Sequence, residues 1–228
     1  MTVQEMLFAR RDPQYQAFMS RLVPTVPKET VLGIRMPAIR ALAREIDGTP
    51  LAAAFLRDLP HRYFDENNLH AALVSRIKAF DEAMAATQAF LPYVDNWATC
   101  DLFSPKALSR QPQALYDAIV AWVRDERPYT VRFGLGMLMA FYLEGQSVEG
   151  ALALAASVRS DEYYVKMMVA WLFATALAKQ YDAALPYLQD RRLSPWTHNK
   201  AIQKARESLR VPPERKAYLQ TLRLPATS

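Results

Sequence analysis

Proline, more than any other residue, limits what this chain can fold into. Fifteen prolines stand against six glycines in 228 residues, where average usage gives roughly 16 glycines. Sheets joined by tight hairpins need glycine for positive φ. Helices led by proline do not, because a first-turn proline gives up an N–H that has no partner there anyway. The prolines sit where helices should start: Asp12-Pro13, Met36-Pro37, Thr49-Pro50, Gln111-Pro112, Arg127-Pro128 and Pro213. Several are preceded by a residue suited to capping. The stretch Pro24–Arg35, with Pro24, Pro27 and Gly33, breaks the pattern. The expectation is an all-α chain.

Helical segments are predicted to pair, with pairs beginning near residues 36, 65, 98, 128, 161 and 195. A period of about 30–35 residues suits stacked helical repeats of the HEAT type, an α-solenoid, better than a closed bundle. An irregular all-α domain is the other reading. Hydrophobic residues make up 51% of the chain, which excludes disorder and supplies a large core. A single domain spanning 1–228 is expected. Tyr129–Tyr142 and Tyr163–Leu177 are apolar on nearly every face and should be covered on both sides. Gly134 and Gly136 inside the first predict close approach by a neighbour. Gly134-Leu135-Gly136 lacks the third glycine and the preceding strand of a dinucleotide fingerprint.

Charge is unevenly spread. Residues 191–228 hold nine basic residues and two acids, while the first 190 hold 19 basic and 21 acidic residues. The basic C-terminal helices, 191–223, therefore carry the whole positive excess. A focused positive patch attracts polyanions, nucleic acid first among them; a solvated helix face is the plainer account. His61, His70 and His198 are not paired at i, i+4 and lack cysteine partners, so no zinc site is expected. Cys100 has no histidine near it in sequence and reads as a small core residue. No basic-then-apolar leader opens the chain, and its longest nearly apolar run, Met167–Ala178, is too short to span a bilayer. A soluble cytoplasmic protein without membrane contact is the expectation.

The residues that suggest chemistry are tryptophans, an acid and an arginine. Trp97 and Asp101 are four apart and share a face if that stretch is helical. An indole beside a carboxylate favours positive charge developing between them. Arg132 and Trp171 lie on otherwise apolar helices, where an unpaired charge is costly and a partner or a cavity is needed. Plainer readings put Asp101 at a helix N-cap, the tryptophans in the core and Arg132 in a structural pair.

These segments together carry a family resemblance. Val31-Leu32-Gly33-Ile34-Arg35-Met36-Pro37, Asp95-Asn96-Trp97-Ala98-Thr99-Cys100-Asp101, Arg132 within Tyr129–Gly136, Trp171 within Val165–Trp171, and Thr197-His198-Asn199-Lys200-Ala201-Ile202-Gln203-Lys204 resemble the AlkD-type DNA alkylation repair proteins. These are DNA glycosylases built from HEAT-like repeats, and the likeness runs from about Tyr15 to Leu222. The resemblance implies a monofunctional, cofactor-free and metal-free enzyme of base excision repair. It would hydrolyse the N-glycosidic bond of N3- and N7-alkylated purines in duplex DNA, as a monomer, with the lesion left stacked. It makes Asp101 the stabiliser of an oxocarbenium-like sugar and the holder of the water. Trp97 and Trp171 would pack on the sugar and phosphate, and Arg132 would contact the backbone and set the carboxylate. Lys166, Arg191, Arg192, His198, Asn199, Lys200, Lys204 and Arg206 are the expected DNA contacts, gripping phosphates without reading sequence. Two alternatives stay open. One is a catalytically weak or inactive DNA-binding member of the family, suggested by the short stretch Met1–Arg11 ahead of Asp12-Pro13. The other is a protein-binding helical-repeat module.

Overall fold

The structure is a computed structural model and describes residues 1–225. The described residues are helical, with 3-10 turns and no strand, so the all-α expectation holds. The chain forms two compact units, Met1–Leu115 and Tyr116–Ser228.

The first unit contains α1 (Val3–Phe8), α2 (Pro13–Leu22), α3 (Met36–Ile46), α4 (Pro50–Arg57), α5 (Phe64–Val74), α6 (Phe80–Phe90) and α7 (Trp97–Leu102). The boundary falls inside α8 (Pro112–Trp122). Proline occupies the first or second position of α2, α3, α4 and α8. Asp12 and Thr49 cap α2 and α4 by accepting from Tyr15 N and Ala52 N, as their polar side chains predict. Alternate helices stack: α5 packs chiefly between α3 and α7. Every residue of α5 is buried, although its sequence includes Asp65, Glu66, Asn67, Asn68 and His70.

The second unit contains α9 (Pro128–Phe141), α10 (Val148–Ser157), α11 (Tyr163–Lys179), α12 (Tyr181–Gln189), α13 (Pro195–Glu207) and α14 (Pro213–Thr221). Here α11 packs mainly against α9 and α13. The stacked helices of the two units, starting at 36, 64, 97, 128, 163 and 195, are the ones whose starts the repeat spacing predicts. Packing between second neighbours is the pattern of HEAT-like helical repeats. The glycines of α9 do what their positions predict. A Cβ on Gly134 would lie 3.0 Å from Val123 Cγ1 and 3.1 Å from Trp122 Cβ, and one on Gly136 would lie 3.2 Å from Met168 Cε.

Helix α5 ends at Val74, and α7 breaks off after Leu102. Ser104-Pro105 explains the second break, since the residue before proline is driven out of the α region.

Candidate nucleic-acid interface

In the first unit, α7 is short, and buried polar side chains fix it in place. Asn96 is the N-cap: its Oδ1 accepts from Thr99 N at 2.8 Å, and its Nδ2 donates to Thr99 Oγ1 at 3.0 Å. The Thr99 hydroxyl donates to Asn68 Oδ1 of α5 at 2.8 Å. Asn96, Asn68 and Thr99 are all buried, and a satisfied buried network of this kind specifies one arrangement. Asp101 is therefore in the helix body, not at its cap. It is exposed, one turn beyond the half-buried Trp97.

Trp97 is anchored from the other side by α2. Its Nε1 donates to Leu22 O at 2.8 Å, and its ring packs on the cluster of Met19, Val23, Val26, Val31 and Phe64. The position of α2 depends in turn on the segment Val31–Arg35. Gly33 has φ +80°, and a Cβ there would lie 2.5 Å from Gln16 N and 2.6 Å from Asp12 O. No other residue fits that contact without moving the start of α2. Asp65 of α5 holds the same segment from beneath. Its carboxylate is fully buried and accepts from Leu32 N (2.6 Å), Ile34 N (2.8 Å) and Gly33 N (3.3 Å). Burial pushes the Asp65 carboxyl above the ordinary aspartate value, and the three N–H donors pull it only part of the way back.

In the second unit, Arg132 is buried, and its Nη1 donates to Tyr164 O at 2.7 Å. The guanidinium thus ties α9 to the first turn of α11. Trp171 on α11 is 41% exposed. It lines a cleft of about 600 Å³ with Lys179, Lys204, Arg210 and the acid Glu207. Lys179 pairs with Glu144 at 3.0 Å. At the other end of α11, Lys166 and Lys200 converge on Trp196, their ammonium nitrogens 5.5 and 5.6 Å from its ring centroid.

The remaining expected contacts part company. Arg206 is exposed but lies roughly 200° around α13 from Lys204, on another flank. Arg192 pairs with Asp190 at 2.9 Å and covers the Tyr187 ring. Arg191 sits in the left-handed region at φ 54°, where it closes α12 with a Schellman pair of bonds, Arg191 N to Leu188 O and Arg192 N to Tyr187 O.

His198 and Asn199 are both engaged within the fold. His198 is fully buried, its Nε2 donates to Leu222 O at 2.8 Å, and burial pulls its pKa down. Asn199 clasps Leu224 through both ends of its amide, at 3.0 and 2.9 Å. Both residues tie the segment after α14 to α13, a role that sequence spacing does not reveal.

Sequence reasoning also missed the supports beneath the site. Asn96 carried a legible signal, a capping residue directly before Trp97. Asp65 carried none, because its partners are backbone groups more than thirty positions away.

Among the described residues, no group of histidine, cysteine and carboxylate side chains is placed to hold a metal, and no helix is long and apolar enough to cross a membrane. No curated protein matches the chain. The model of the DNA alkylation repair enzyme family does match, over residues 3–205. That span takes in the Asp65-anchored turn, the capped α7, α9, α11 and all but the last two residues of α13. The chain belongs to the DNA alkylation repair enzyme family.

Proposed function

We propose that this protein is a monofunctional DNA glycosylase that releases N3- and N7-alkylated purines from duplex DNA. The observation that carries the reading is the placement of Asp101: an exposed carboxylate on a helix held rigidly by Asn96, Thr99 and Asn68, one turn from an anchored indole. Pre-organised charge of this kind stabilises a transition state without reorganisation cost.

The chemistry asks little else of the protein. An N3- or N7-alkylated purine is cationic, so when the C1′–N bond breaks, its electron pair returns to the ring and the base leaves neutral. Positive charge moves to the sugar. Asp101 stabilises that oxocarbenium-like sugar and orients the water that adds at C1′, whose proton passes to solvent. Trp97 and Trp171 each supply apolar ring surface for the DNA backbone. Arg132 acts through α11, whose first turn it fixes. Lys204 beside Trp171, with Lys166 and Lys200, supplies phosphate contacts that position the duplex without reading its sequence. The chain is read as one functional domain, working as a monomer in the cytoplasm.

The test is single-turnover release of 7-methylguanine from a defined duplex. Wild type should release the base. Asp101→Asn should lose about 10²-fold or more, the scale for removing one charge-stabilising group, with the fold intact by circular dichroism. Full activity in Asp101→Asn removes the carboxylate from the mechanism. Salt-sensitive duplex binding with no release by wild type makes the protein a DNA-binding member of the family.

A further inference from the structure

We propose that Tyr163 and Trp196, beside the phosphate-contacting Lys166 and Lys200, form a nucleic-acid site that takes an unpaired nucleotide of a DNA strand. The site lies where α11 and α13 begin, and neither aromatic ring has a part in the glycosylase reading. Tyr163 packs edge-on against Trp196 (centroids 5.7 Å, planes 67° apart) and against Tyr164 (5.2 Å, 84°). These contacts hold the ring upright while it remains 53% exposed.

The two lysines keep their charge available. Each ammonium lies against the Trp196 ring, and neither has a carboxylate within salt-bridge distance among the described residues. Lys200 bonds only to the neutral Gln203 Oε1, at 2.9 Å. A cation–π contact orients an ammonium group without cancelling its charge. Elsewhere in the same unit Lys179 and Arg192 are neutralised by Glu144 and Asp190. Beside Trp196 opens a recess of about 460 Å³, also lined by Lys166, Arg159, Ser194 and Asp161. Arg159 is turned onto the main-chain carbonyls of Ala156, Val158 and Arg192 and has no acid partner there. Among the described residues Asp161 is the only acid in the recess lining, so cationic groups dominate it.

An exposed aromatic ring beside paired lysines is the arrangement that binds single strands: a base stacks on the ring and its phosphate meets the cations. A blunt duplex offers the lysines its phosphates but offers Tyr163 no free base face. Tyr163 lies eight residues before Trp171 on α11, about 12 Å along the axis. That spacing corresponds to roughly three to four base steps of a strand, so the site would engage unpaired DNA a short distance from the nucleotide at Trp171. The inference takes its choice of DNA and the nucleotide at Trp171 from the proposed repair function and does not depend on base release.

Fluorescence anisotropy with a labelled oligothymidylate and a blunt undamaged duplex of equal length tests it. Tyr163→Ala should weaken the single strand about 5- to 150-fold, the effect of losing one stacked base. It should leave the blunt duplex within about two-fold, and Tyr163→Phe should restore single-strand binding. No single-strand affinity in wild type, unchanged affinity in Tyr163→Ala, or equal loss on both ligands would overturn the proposal. Release of 7-methylguanine from a blunt duplex is measured in parallel. That activity should survive Tyr163→Ala and fall in Asp101→Asn, so failure of this site and failure of the glycosylase reading give different results.

Discussion

Replacing Asp65 by alanine should cost far more than removal of any surface acid, because its carboxylate satisfies a buried turn. Leu32 and Ile34 donate to it at 2.6 and 2.8 Å and Gly33 at 3.3 Å, and Leu32 and Ile34 are at most 5% exposed. Without the acceptor, two well-made N–H groups and one weak one lose their partner, each well-made one at about 1–3 kcal/mol. Relief from burying the carboxylate, seen in its raised pKa, offsets part of that. The expected loss is about 3–5 kcal/mol, a large share of an ordinary domain's stability of about 5–15 kcal/mol. Asp65→Asn should fall nearly as far, since its NH₂ would face main-chain N–H groups, donor against donor. Asp81, an exposed first-turn acid of α6, is the control: Asp81→Ala removes a helix-dipole contribution of about 1 kcal/mol or less. Urea denaturation of the three variants measures the differences. If Asp65→Ala costs no more than Asp81→Ala, the carboxylate is not what holds the Val31–Arg35 segment, and the account of how α2 and Trp97 are positioned fails with it.

Two further predictions concern stability. His70 is buried, stacked on Phe90 at 4.0 Å and hydrogen-bonded to His61 at 2.9 Å, and burial pulls its pKa down to about 3. A histidine depressed in the folded state contributes stability that is present above its unfolded pKa, about 6.5, and is lost as pH falls. The loss should reach about 2 kcal/mol by about pH 5, before any addition from His61, which shifts the same way; Asp65, raised in the fold, works in the opposite direction at lower pH. Urea midpoints that stay level between about pH 7 and about pH 5 would contradict this. Arg191→Gly should stabilise the second unit by about 0.5–1 kcal/mol, because glycine adopts the left-handed C-cap at φ 54° without a Cβ clash; an unchanged or lower melting temperature would show that the Arg191 side chain makes compensating contacts.

How much of this was legible beforehand depends on the range of the interaction involved. Proline-led starts, capping residues and repeat spacing are local, and they located the stacked helices to within a few residues. Trp97 and Asp101 were legible for the same reason: a separation of four needs only a helix to bring two side chains to one face. The burial of α5 was not, since only α3, α7 and the buried N–H groups of Leu32, Gly33 and Ile34 give its Asp, Glu and Asn side chains a reason to be inside. The engagement of His198 and Asn199 within the fold was not legible, for the complementary reason. A basic neighbourhood suggested phosphate contacts, while the main-chain groups of Leu222 and Leu224, more than twenty positions later, claim both side chains. The helices, their period and the spacing of the Trp97–Asp101 pair follow from backbone propensity and local geometry, so they can be read residue by residue along the chain. Tertiary structure alone decided which polar groups are buried and which cations stay unpaired, because hydrogen-bond and charge partners distant along the chain become neighbours only when it folds.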